Sequence, residues 1–241
     1  MSIRQNRYGQ PIGRAIADWS ARPRPPRAEL AGRYCRLEPV DPQRHGVDLY
    51  AAFMEAADGR DWTYLFDERP ERKEDFDSYL KELASSKDPL HFAIIELQSK
   101  KALGTAALMR IDPVHGNIEV GWITFSPRLK QTAASTEAMY LLMRLAFDEL
   151  GYRRYEWKCD SLNAPSRAAA ERYGFTFEGI FRNAVVYKGR NRDTAWYSIT
   201  DQEWPRVRAA FQAWLDPANF DERGRQKRKL QELRSSLSGS A

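Results

Sequence analysis

The sequence predicts an α/β (α+β) protein built on a mixed, mostly antiparallel twisted sheet flanked by helices. Residues 91–125 hold three successive apolar runs separated by short polar turns, the pattern of an antiparallel meander. Helical periodicity precedes this meander and then alternates with later strands, so helices are expected on both sheet faces. The apolar share of 42%, with seven Trp among 241 residues, is enough for one such core.

Along the chain, residues 21–32 (ARPRPPRAELAG) are too rich in Pro and Arg for a helix or a central strand. Residues 1–32 are read as an extended lead-in to a domain spanning 33–216. Residues 32–40 alternate apolar and polar side chains and predict a first strand. Helices are expected at 43–57 and 71–85, with an irregular aromatic segment carrying Trp62, Tyr64 and Phe66 between them. Strands follow at 91–97, 103–111 and 117–125, then a loop at 127–134 and a helix over 137–150 that ends at Gly151. A short strand at 154–158 leads to a helix over 165–173, with Pro165 in its first turn and Gly174 just past its end. Strands at 175–181 and 184–199 read as a hairpin turning near 188–192, followed by a helix over 204–215. Residues 217–241 form a charged tail in which 221–236 has helical character but little apolar face, tethered weakly or not at all.

Composition excludes several classes. No apolar run approaches the roughly 20 residues needed to cross a bilayer, and the first 20 residues lack the apolar stretch of a signal peptide. Cys35 and Cys159 form no C-x-x-C pair, and His45, His91 and His115 have no metal spacing, so neither a disulfide framework nor a metal is expected. The expectation is a cytoplasmic protein without a membrane partner. The net charge of +5 comes from the ends: residues 1–36 hold eight Arg against two acids, and 221–236 hold six bases against three. Such ends could touch RNA or ribosomes. Solvated tails are the simpler reading, and no nucleic-acid partner is expected. Neither a Walker loop nor G-x-G-x-x-G is present.

Four motifs fall in order through the second half of the chain. Asn117–Ile123 contains Glu119-Val-Gly121-Trp122. Ala134-Ser135-Thr136-Glu137-Ala138 opens a helix. Asn163-Ala-Pro-Ser166-Arg167 runs on to Glu171-Arg-Tyr-Gly174-Phe175-Thr-Phe-Glu178-Gly179. The fourth, Arg192-Asp193-Thr-Ala-Trp-Tyr197, lies in a late strand. In this order they resemble the GNAT acetyltransferases near the RimJ/RimL branch, which acetylates protein N-termini. The resemblance covers about residues 35–205 and implies the GNAT fold, with acetyl-CoA as acyl donor and an amine as acceptor. By carry-over it places the coenzyme at Phe125, Lys130, Gln131, Thr132, Ala133, Ala134, Ser135, Thr136, Asn163, Ser166 and Arg167. Two departures stand out. Ala133 and Ser135 occupy positions where the family's phosphate loop has small, mostly glycine residues, and Ala170 stands where many members have a tyrosine acid.

These residues also have local readings. Amides converging at a helix N-terminus form an anion site suited to a diphosphate, whereas Ser135 or Thr136 alone would be a plain N-cap. The Cβ atoms at 133–135 restrict close approach and penalise positive φ. Glu119 lies opposite Ile118, Val120 and Trp122 on an alternating strand. Acyl transfer needs a neutral amine, so this carboxylate is the candidate general base, or else a solvent-facing strand residue. Ser166 is the candidate proton donor to the departing thiolate, or a first-turn surface serine. Asn163 either orders the thiol end of the coenzyme or merely caps its helix. Trp62, Tyr64 and Phe66 either line the acceptor pocket or belong to the core. Direct attack in a ternary complex is expected, in a monomer or homodimer. The competing readings are a catalytically weak CoA-binding regulatory module and a ribosome- or nucleic-acid-associated protein.

Overall fold

Eight strands in the order β3-β4-β5-β6-β7-β8-β10-β9 form one sheet in the computed structural model, which describes residues 4–237. Upstream, β1 (Arg4–Gln5) and β2 (Pro11–Ile12) make a small exposed hairpin. The sheet strands are β3 (Leu30–Ala31), β4 (Cys35–Pro39), β5 (Leu90–Glu96), β6 (Lys101–Asp112), β7 (Asn117–Phe125), β8 (Arg154–Asp160), β9 (Thr176–Tyr187) and β10 (Arg190–Thr200). Neighbours pair antiparallel except β7 and β8, which run parallel. A parallel pair requires a crossover, supplied by α3 (Ala133–Arg144) and the π-helical turn that continues it. The mixed, mostly antiparallel sheet expected from the sequence is the observed one.

One face packs on α3, α5 (Trp204–Leu215) and α6 (Leu230–Ser236), with Ile118, Val120, Met139, Leu142, Tyr155, Phe211 and Leu230 in a continuous core. The other face carries α1 (Pro42–Met54) and α2 (Lys73–Ser85) over a second cluster of Leu49, Phe53, Trp62, Phe76, Tyr79 and Leu80. α4 (Ala164–Tyr173) follows β8 and ends at Gly174, whose φ of +101° is the left-handed cap anticipated from the sequence.

Three expectations change. The helix read as 137–150 begins four residues earlier, because Thr132 and Ser135 form a reciprocal capping box. Its N-cap is Thr132, not Ser135 or Thr136. Residues 217–237 are not weakly tethered: Leu230 and Leu233 are buried, and Trp214 donates its indole N–H to Gln226 (2.7 Å). Two leucines one turn apart suffice to dock a one-sided helix. Finally, Trp122 leaves the face of Ile118 and Val120. A bulge between β6 and β7 puts Trp122 at φ +49°, so Ile123 turns to the α3 side while Trp122 joins Glu119 on the other face.

Candidate active site

The parallel pairing of β7 with β8 runs from Asn117/Arg154 to Val120/Trp157 and then stops. Beyond it, Gly121–Phe125 and Lys158–Asp160 line opposite parts of one large cleft. Main-chain groups on the separated edges lose their ladder partners and are free for a ligand. The cleft continues to the N-terminus of α3, where Lys130–Thr136 form its wall, and to Asn163, Ser166 and Arg172 on α4.

Most amides of the α3 turn are already engaged. Lys130 N–H donates to Ser126 O, Thr132 N–H to Ser135 Oγ, Ser135 N–H to Thr132 Oγ1, and Thr136 N–H to Thr132 O. The amides of Gln131, Ala133 and Ala134 have no partner among the described residues. These three donors, at the positive end of the helix dipole, fit a diphosphate. Within the turn only Gln131 has positive φ (+61°), so Ala133 and Ser135 are unstrained without glycine. The Arg172 guanidinium donates to Thr136 Oγ1 (3.2 Å) and stacks over Trp214. Arg33 and Arg225 line the same end.

A buried carboxylate anchors this turn from behind. Glu137 accepts the backbone N–H groups of Arg33 (2.7 Å), Tyr34 (2.6 Å) and Cys35 (2.8 Å), tying the β3–β4 turn to the start of the second turn of α3. Gly32 allows the approach, since a Cβ there would lie 2.4 Å from Glu137 Oε2. Proximity to this carboxylate adds to burial in pushing the Cys35 thiol far up, so Cys35 stays an inert thiol.

Glu119 is 3% exposed and does not face solvent. Arg110 Nη1 donates to both its oxygens (3.0 and 2.8 Å), and Lys158 Nζ lies 2.9 Å from Oε2. Arg110 reaches it from a second bulge, at φ +46°. Three acids alternate with three bases across this face: Arg110, Glu119, Lys158, Glu156 (2.6 Å from Lys158), Arg154 (2.6 Å from Glu156) and Glu178 (2.7 Å from Arg154). Lys158 also sits 3.8 Å from the centre of the Trp196 ring. Arg154, donating to Glu178, holds that carboxyl below its usual range.

Ser166 accepts the Trp157 indole N–H at Oγ (3.0 Å), which leaves its own proton available to donate. Asn163 lines the cleft while its Oδ1 accepts the Ser166 amide (3.1 Å), so it caps α4. Phe125 and Lys130 also line the cleft, Lys130 pairing with Asp61 (2.6 Å). Arg167 lies off the wall, its Nε donating to Tyr197 OH (3.1 Å). Tyr64 and Phe66 face the cleft, and Phe66 stacks on Trp122 with ring centres 5.4 Å apart. Trp62 does not; it is packed edge-on against Phe53 and Tyr79 in the second core cluster.

Sequence reading passed over Arg110, Lys158, Asp160 and Arg192, all on the cleft wall. A signal existed. In Arg154–Asp160 every second residue is charged, and a central strand with that pattern demands partners on one face.

The family model for the acetyltransferase (GNAT) domain matches residues 36–176. The crystal structure of a GCN5-related N-acetyltransferase from Brucella melitensis is 50% identical, with a TM-score of 0.90 over 91% of this chain and 100% of that one. YdaF of Bacillus subtilis (strain 168), provisionally named a ribosomal N-acetyltransferase, is 32% identical over 42% of this chain and 55% of its own. The N-acetyltransferase p20 of Bacillus licheniformis, named as uncharacterized, is 29% identical over 47% of this chain and 63% of its own. The matches thus span somewhat more than half the length of these two curated relatives. The chain belongs to the GNAT acetyltransferase family.

Proposed function

We propose that this protein transfers an acetyl group from acetyl-CoA to a primary amine, on a protein N-terminus or a small molecule, by direct attack in a ternary complex. The observation that carries the reading is the β7–β8 divergence opening onto the three free amides at the α3 N-terminus. Those amides, with Arg172 beside them, hold the diphosphate, and the opened strand edges hold the pantetheine arm. Bound acetyl-CoA supplies an activated acyl carbon and a thiolate leaving group.

The amine reaches that carbon from the Phe66–Trp122 side. Once bonded to carbon, its nitrogen is an ammonium far more acidic than a free amine, so even a weakly basic carboxylate can take the proton. Glu119 is that acceptor, directly or through one water. Arg110 and Lys158 hold it in place, and a carboxylate offers four lone-pair sites, of which these contacts use three. Ser166 Oγ–H donates to the departing sulfur. Thiol release from acetyl-CoA against a panel of N-terminal peptides and small amines tests this, with Glu119→Gln and Ser166→Ala alongside. Amine-dependent release that falls about a hundredfold or more in Glu119→Gln supports it. Tight acetyl-CoA binding without release across the panel contradicts it.

A further inference from the structure

Arg192 is 7% exposed, yet among the described residues no carboxylate lies within ion-pair distance of it. Its Nε donates to Thr194 Oγ1 (3.2 Å), and its terminal nitrogens have no hydrogen-bond partner among the described residues. The guanidinium carbon lies 5.6 Å from the centre of the Phe66 ring and 5.9 Å from that of Tyr187. Rings over a guanidinium stabilise it modestly, by about 0.5–2 kcal/mol, and do not replace a counter-charge. The residue lines the cleft on the Phe66 side.

Asp160 is its mirror image. It is buried at 4% exposure on the cleft wall and has no cation within ion-pair distance among the described residues. Its oxygens accept Tyr187 OH (2.8 Å) and the Leu162 amide (2.9 Å). Asp160 pairs across the strands with Thr194, two residues from Arg192, so the two charges stand on one wall. Burying a charge without a direct partner is costly, and two opposite ones side by side make a surface complementary to a dipolar molecule.

We infer that the acceptor is an amine carrying an oxyanion, carboxylate or phosphate, a few atoms from its nitrogen, and that Arg192 grips the oxyanion in a two-pronged hydrogen bond. Asp160 draws in the ammonium end, which releases one proton to solvent to become the neutral amine that attacks. The planar guanidinium, presenting two parallel N–H groups, matches either oxyanion. This deepens the acyl-transfer reading and rests on it.

Matched probe pairs test the inference: 4-aminobutyrate against its amide, phosphoethanolamine against ethanolamine, and peptides beginning Ser-Asp against Ser-Asn. The readouts are thiol release and, separately, acetyl-CoA affinity by calorimetry. In at least one pair the anionic member is expected to react ten times faster or more, and which pair does so separates a carboxylate from a phosphate source. Arg192→Met is expected to cut that rate about a hundredfold, mainly through KM, leaving the neutral member and acetyl-CoA affinity unchanged. Arg192→Lys restores part of the preference and guards against a folding defect in the Met variant. Neutral members that react as well as anionic ones, or no release with any anionic member, overturn the inference while amine-dependent release keeps the acyl-transfer reading. A loss of acetyl-CoA affinity in Arg192→Met also overturns it, by assigning the arginine to the coenzyme.

Discussion

Lys158 Nζ stands 2.9 Å from Glu119 Oε2 and 2.6 Å from Glu156 Oε2, with both partners almost fully buried, so one ammonium separates two carboxylates on adjacent parallel strands. Removing it leaves like charges facing each other at low dielectric. Lys158→Met is expected to destabilise the fold by about 3–5 kcal/mol, read from the shift in urea midpoint. Glu119→Gln, which keeps an oxygen for Arg110 and Lys158, is expected to cost less stability while losing far more activity. Equal stability losses would mean the ladder is solvated.

The Gly32–Glu137 contact predicts a second sensitivity. Gly32→Ala places a methyl 2.4 Å from Glu137 Oε2 and 2.8 Å from Cys35 O, so the β3–β4 turn must move away from α3. Glu137→Gln leaves one of three backbone amides without an acceptor, at a cost of about 1–3 kcal/mol. Both variants are expected to lower the melting temperature and, because α3 carries the free amides, to weaken acetyl-CoA binding in the same samples.

Acid sensitivity follows from His91. Burial, aided by the positive charge of Arg27, pushes its imidazole down to about 4, and its Nδ1 has no partner among the described residues. The folded state keeps this ring neutral, while the unfolded chain takes up a proton below about 6.5. Stability from this group is therefore complete above pH 6.5 and is lost as pH falls toward 4, with about 2 kcal/mol gone by pH 5. Carboxylates held low by arginines, such as Glu178, lose their contribution only at lower pH. Chemical denaturation at pH 7 and pH 5 checks this. The difference is expected to shrink in His91→Leu and to persist if other groups carry it.

The docking of α6 predicts that Leu230→Ala costs about 2–4 kcal/mol, since Leu230 is 1% exposed within the main core. A change below about 0.5 kcal/mol, measured by urea titration, would mean that the terminal segment folds independently of the body.

Much of this architecture was legible in the sequence, because apolar periodicity encodes which face of each element is buried. The meander, the helix over 165–173 and the Gly174 cap needed nothing more. Local exceptions to the alternation escaped. Arg110 and Trp122 carry positive φ without being glycine, so no residue type marked the bulges that aim them at Glu119 and Phe66. The start of α3 was hidden because Thr, Ala and Ser read as loop until Thr132 and Ser135 satisfy each other's amides. Of the candidate site residues, Glu119, Ser166, Asn163, Tyr64, Phe66, Phe125 and the 130–136 turn share one cleft, while Trp62 and Arg167 point elsewhere. Aromatic composition alone cannot tell a pocket wall from a core, and an arginine's reach is decided by tertiary contacts.

One of the free amides at the α3 N-terminus, that of Ala133, can be removed without unmaking the helix. Ala133 is the first helical residue, a position where proline is well tolerated, and Thr132 before it is extended at φ −97° and ψ 167°, as a residue preceding proline requires. Calorimetric titration of acetyl-CoA into Ala133→Pro, with Ala133→Ser as a control that keeps the N–H, is the direct test. The expected result is an unchanged melting temperature for both variants and an affinity at least tenfold weaker for the proline variant alone. An affinity equal to that of the parent protein would contradict it.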